Sequence, residues 1–118
     1  MIEAAFRKTI EQFSDIVEFI EKLELSEEEH VSKIKAKLKL FDGSALWIRE
    51  VWIRDEIEVY SYYWLRSDET IIMGWDDVPH HKEIETFPHH RHMGNKIEPS
   101  QEKNLRDVLS FIRNFLRV

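Results

Sequence analysis

The chain is 118 residues long, 42% hydrophobic and without cysteine, which is enough for one ordinary core and too little for two. The missing thiols exclude disulfides and thiolate metal sites, and the apolar runs are too short for a membrane span or a signal-peptide core, so a single cytoplasmic domain over residues 1–118 with no membrane partner is expected. The formal net charge of −6 lies entirely in residues 1–30, where nine acids face three bases, while residues 31–118 hold fourteen of each; the acidic objection to a polyanionic partner applies to that N-terminal stretch alone.

In chain order, Ile2, Phe6, Ile10, Phe13, Val17 and Ile20 recur at steps of three and four, which predicts an amphipathic helix from Ile2 to Leu23. Ser26 to Glu29 reads as a solvated turn. Lys33, Lys35, Lys37 and Lys39 then alternate with Ile34, Ala36, Leu38 and Leu40, the period-two pattern of a half-buried strand. Asp42-Gly43 is a strong hairpin signal. As a two-residue loop it would set Phe41 opposite Ser44 and pair Leu38 with Trp47, Ala36 with Arg49 and Ile34 with Val51. That register puts Arg49 on the apolar face and Glu50 opposite Lys35 among the lysines.

Ile57 to Leu65 and Thr70 to Asp76, rich in β-branched and aromatic residues and separated by Arg66-Ser67-Asp68-Glu69, predict a third and a fourth strand. Most of the aromatics should be core or cross-strand pairs; Tyr60, Tyr62 and Trp64, which share one face of the third strand, are the candidates for exposed stacking surfaces. Pro79, Pro88, Gly94 and Asn95 predict an irregular segment, and Ser100 is the expected N-cap of a last helix carrying Leu105, Val108, Leu109, Ile112 and Leu116. The expected fold is α+β, a four-stranded antiparallel sheet with the N-terminal and C-terminal helices packed on one face.

Five of the six histidines fall between His80 and His92. Imidazole can donate, accept or ligate near neutral pH, so this run is where chemistry is expected. A metal would draw on one histidine of each adjacent pair, His80 or His81 and His89 or His90, with His92 and Asp76 or Asp77; His80 and His89 are the candidate ligands, and the ion a divalent one. An acid–base site would use His81, His90 and His92 for proton transfer, with Arg49 on phosphate charge. The lysine comb could track a phosphate backbone or be a solvated strand face. The run can equally be a polar connection.

Ile48-Arg49-Glu50-Val51 after the hairpin, Tyr60-Ser61-Tyr62, Asp76-Asp77-Val78-Pro79-His80-His81 and Phe87-Pro88-His89-His90-Arg91-His92 resemble, in that order, the small TumE-like proteins of type II toxin–antitoxin systems. Where that family often carries Arg-Tyr-Asp-Asn before the first Pro-His-His, this chain has Gly74-Trp75-Asp76-Asp77. The resemblance implies a toxin acting on RNA or translation, a ribonuclease in the sharpest reading, with a separate antitoxin as partner. The matching positions are Arg49, Glu50, Tyr62, Asp76, His80, His81, His89, His90 and His92, of which Arg49, Glu50, Tyr62, Asp76, His81, His90 and His92 are the candidate catalytic residues. The alternatives are a non-catalytic metal-binding module and a protein-interaction module that docks a second chain or a copy of itself.

Overall fold

A computed structural model of the protein describes residues 2–77, 86–93, 96–101 and 103–117. Helix α1 spans Ile2–Gln12, strands β1 to β7 span Val17–Glu27, Val31–Leu40, Ala45–Ile53, Glu56–Leu65, Ile71–Asp76, His90–Met93 and Lys96–Pro99, and helix α2 spans Leu105–Phe115. The strands form one seven-stranded sheet in sequence order, each antiparallel to the next. The α+β arrangement with two terminal helices stands, but the expected four-stranded sheet is corrected: three more strands belong to it.

The first of these, β1, lies where the apolar spacing predicted helix. Helix α1 stops at Gln12, and β1 pairs with β2 through two register shifts, between Val17 and Phe19 and between Ile20 and Lys22. Each shift inserts a residue, so Val17, Ile20, Leu23 and Leu25, facing Leu40, Leu38, Ala36 and Ile34 across the ladder, are spaced three, three and two. A bulged strand can imitate a helical period in this way. The other two, β6 and β7, arise in the segment read as irregular, with Gly94-Asn95 between them in sequence; a Gly-Asn pair between short strands is itself a hairpin signal.

The β2–β3 hairpin differs from expectation by one residue. Gly43 sits at φ +92°, its N–H donates to the Leu40 carbonyl at 3.0 Å, and Leu40 N–H donates to the Ser44 carbonyl at 2.9 Å. The loop is therefore three residues, Phe41 to Gly43, with the glycine in the left-handed position that such loops require. Leu38 pairs with Leu46, Ala36 with Ile48, Ile34 with Glu50, and Lys35 with Arg49. Because side chains alternate, this one-residue slip exchanges the two faces of β3. Arg49 goes out among the lysines and Glu50 goes into the core.

Ile34, Ala36, Leu38, Leu46, Ile48, Tyr60, Tyr62, Trp64, Met73 and Trp75 form the buried sheet face, packed against Phe6 and Ile10 of α1 and Leu105, Val108, Leu109 and Ile112 of α2. Edge-on contacts of Trp64 with Phe115 and Trp75 with Phe111 seat α2. Arg113 of α2 donates to the Gln12 carbonyl at 2.8 Å and to Asp15 at 2.7 Å, joining the two helices. The N-cap of α2 is Asn104, not Ser100. Its side chain accepts from Asp107 N–H at 2.8 Å while Asp107 accepts from Asn104 N–H at 3.0 Å, a reciprocal capping box.

Candidate active site on the open sheet face

Met73 and Trp75 point into the core, so alternation turns Gly74 and Asp76 to the opposite face. Across the ladder Asp76 pairs with His90 on one side and Ser61 on the other, and Gly74 pairs with His92 and Tyr63. Two cross-strand rows thus bring Asp76, His90, His92 and Tyr63 together. His90 Nε2 lies 2.8 Å from Asp76 Oδ1 and His92 Nε2 lies 3.3 Å from Oδ2. Tyr63 donates its hydroxyl to Oδ2 at 2.6 Å. Burial, reinforced by this bond to Asp76, pushes the Tyr63 phenol above its ordinary pKa, so the tyrosine stays a donor at neutral pH.

His90 Nδ1 sits 3.0 Å from the Pro88 carbonyl. A carbonyl can only accept, so Nδ1 carries hydrogen and Nε2 is the nitrogen turned to the carboxylate. A bare Nε2 there would set lone pair against lone pair; a proton or a metal ion belongs between them. His90 and Asp76 are buried, whereas the His92 side chain is 22% exposed and forms the open side of the cluster.

One ligand atom from each of Asp76, His90 and His92 lies within 4.8 Å of the others. Ligands at about 2.0–2.2 Å from one ion stand roughly 3–3.5 Å apart, close to the carboxylate–imidazole separations here. The two-histidine, one-carboxylate set can hold a divalent metal of the borderline class, with Pro88 and Tyr63 orienting His90 and Asp76 from behind.

The remaining candidate residues lie elsewhere. Glu50 is buried on the helix-covered face, accepting from Tyr62 hydroxyl at 2.6 Å and from Trp52 Nε1–H at 2.8 Å. Burial, then the nearby Glu50 charge, raises the Tyr62 pKa far above that of a free phenol. Glu50 also lines a cleft of about 710 Å³ beside α1 and α2, together with Phe6, Ile34, Trp52 and Leu105. The sheet separates this pair from the histidine cluster. Tyr60, Tyr62 and Trp64, the candidate stacking surfaces, are all buried. His89, a candidate metal ligand, stacks on Tyr60 with Nδ1 2.9 Å from its hydroxyl; His80, the other, and His81 lie outside the described residues. Burial raises the Asp77 pKa, against the lowering effect of the hydrogen bond it accepts from Tyr60 N–H. Arg49 is exposed on the cluster's own face, in the same row as Ser61 and Asp76.

Sequence reasoning missed Tyr63 and Gly74. A Cβ on Gly74 would fall 2.4 Å from Tyr63 Cδ1 and Cε1, so the glycine lets the Tyr63 and His92 rings, 5.8 Å apart, close over the strand. A lone glycine inside a strand pattern marks this kind of close approach and could have pointed to the site. Gly74→Ala is expected to drive the Tyr63 ring off Asp76 and cost about 1–3 kcal/mol, read as a lowered Tm. In a Tyr63→Ala background the same substitution should be nearly silent, a non-additivity that a double-mutant cycle measures.

An antiparallel sheet covered by helices on one face, with a carboxylate–imidazole cluster on the other, defines the class of this protein. Residues 6–116 match the family model described as Toxin TumE, and the chain belongs to that toxin family. Membership implies a cognate antitoxin. No curated protein and no solved structure matches the chain. No helix among the described residues is long and apolar enough to cross a membrane.

Proposed function

We infer that this toxin cleaves RNA at the Asp76–His90–His92 cluster. The observation that carries the reading is the Asp76–His92 pair: a buried carboxylate against Nε2 of an imidazole that opens to solvent. With Nε2–H donated to Asp76, His92 Nδ1 is left as a base able to take the proton of a ribose 2′-hydroxyl, the division of labour that carboxylate–histidine pairs serve elsewhere. The 2′-oxygen attacks phosphorus, the bond to the 5′-oxygen breaks, and that oxygen takes a proton from a second group. The sequence offers His81 for that step. Arg49, two strands from Asp76 and so about 10 Å away at the Cα atoms, steadies the charge of a phosphate further along the same RNA strand rather than touching the carboxylate.

A second reading has its own observation. The Pro88 carbonyl holds the His90 ring with Nε2 aimed into the cluster, as backbone acceptors do behind metal-bound histidines. A divalent ion held by Asp76, His90 and His92 would neutralise phosphate charge and lower the pKa of bound water.

Expression of the parent in a bacterial host is expected to arrest growth with fragmented total RNA, whereas soluble His92→Ala permits growth with RNA intact. Equal arrest by both chains, or arrest with intact RNA, would defeat the reading.

A further inference from the structure

The three-residue hairpin loop leaves Lys35 and Arg49 directly opposite each other on the open sheet face. Like charges at facing positions repel and are destabilising unless something anionic compensates them. Lys37 has such a partner, Glu21 at 2.9 Å, and lies over the Trp47 ring with Lys22. Lys35 faces Glu24 on its other side, yet among the described residues neither Lys35, Lys33 nor Arg49 has a carboxylate oxygen within ion-pair distance. All three are exposed. Among the described residues no carboxylate touches these cations, which leaves them open to an anion from outside.

Position says which anion. The row that begins at Lys35 runs through Arg49, Ser61 and Asp76 to His90. It crosses the strands at right angles and covers roughly 14 Å from β2 to β5, at about 4.8 Å per strand. Among the described residues, Ser61, a short side chain, is all that the row places between Arg49 and the cluster. Within the described residues no helix covers this face, since α1 and α2 pack on the other side.

We propose that this row is the binding track for single-stranded RNA, with Lys35 and Arg49, supported by Lys33, gripping phosphates a few nucleotides from the one that reaches Asp76 and His92. The proposal rests on the ribonuclease reading and adds the path of the substrate. A flat sheet face with phosphate-gripping cations at one side suits a flexible strand better than a duplex, whose rigid cylinder would touch it along a single line. The contacts are charge-to-phosphate and carry little sequence preference.

The test is the anisotropy of a fluorescent 2′-O-methyl RNA oligonucleotide, which lacks the attacking hydroxyl and cannot be cut by 2′-oxygen attack, titrated with the parent and with Lys35→Glu/Arg49→Glu at several salt concentrations. Arg7→Glu/Lys8→Glu, on the exposed side of α1, is the charge-matched control. The double variant is expected to bind at least tenfold more weakly, with the slope of log affinity against log salt reduced by about 1.4, at roughly 0.7 for each phosphate no longer neutralised. The control should bind like the parent at equivalent charge screening. Unchanged affinity and slope in a double variant with parental Tm, or no binding by the parent, would overturn the track. The probe keeps two failures apart. Weakened binding in a protein that cuts no RNA upholds the track and sinks the nuclease, whereas RNA cutting with unchanged binding does the reverse.

Discussion

Asp76→Asn is expected to abolish RNA cleavage and to lower the Tm. Asp76 is 4% exposed and its two oxygens meet His90, His92 and Tyr63 at 2.8, 3.3 and 2.6 Å. Asparagine keeps the size of the side chain but offers one acceptor oxygen in place of two. Tyr63 or an imidazole N–H is then left facing an amide nitrogen, an unsatisfied buried donor costing about 1–3 kcal/mol. Removing the side chain altogether with Asp76→Ala leaves Tyr63, His90 and His92 without their shared acceptor and opens a cavity, and should cost more than Asp76→Asn. On activity the loss is larger still, because the carboxylate orients the His92 base and balances its charge as the proton arrives; positioned proton transfer is worth roughly 10²–10⁴ in rate. Thermal denaturation and a cleavage assay on the same preparations measure both. An Asp76→Asn protein with parental Tm and parental cleavage would show that the cluster is neither structural nor catalytic.

Glu50→Ala is expected to behave in the opposite sense: a large loss of stability with cleavage per folded molecule unchanged. Glu50 is 3% exposed, and its removal orphans both the Tyr62 hydroxyl and the Trp52 indole N–H, each at about 1–3 kcal/mol. In a chain of this length roughly 4 °C of Tm goes with each kcal/mol. Glu50→Leu combined with Tyr62→Phe removes donor and acceptor together and should recover much of the loss. Denaturation midpoints for the single and double variants, with cleavage assayed well below the lower midpoint, test this. Lost cleavage in a folded Glu50→Ala chain would return Glu50 and Tyr62 to the catalytic list that the Arg-Glu and Tyr-x-Tyr motifs suggested, and would draw the helix-side cleft into the mechanism.

Much of the architecture was legible because period-two alternation is a direct consequence of a strand with one buried face. The lysine comb of β2, the aromatic β4 and the strand ending at Asp76 all announced themselves in this way. What was not legible has a common cause in single inserted residues. Two bulges in β1 turned alternation into a spacing that a helix also satisfies. One extra residue in the Asp42-Gly43 loop exchanged Arg49 and Glu50 between faces. Asp-Gly announces a hairpin but does not by itself choose between a two-residue and a three-residue loop, and the choice reverses every side chain beyond it. At the candidate site, Asp76, His90 and His92, all among the residues that the histidine run and its flank suggested, come together. Which histidines converge depends on β6 pairing with β5, a non-local fact that a four-residue strand hardly signals.

The most direct measurement is the fate of a defined single-stranded RNA incubated with the purified chain, with and without EDTA, followed by analysis of the new ends. The expected result is cleavage that survives EDTA, leaves a 2′,3′-cyclic phosphate from attack of the 2′-oxygen, and is lost in His92→Ala. Cleavage abolished by EDTA and restored by zinc or manganese would replace the acid–base step with the metal-held form of the same cluster. RNA left intact under every one of these conditions would contradict the assignment of this cluster as a ribonuclease site.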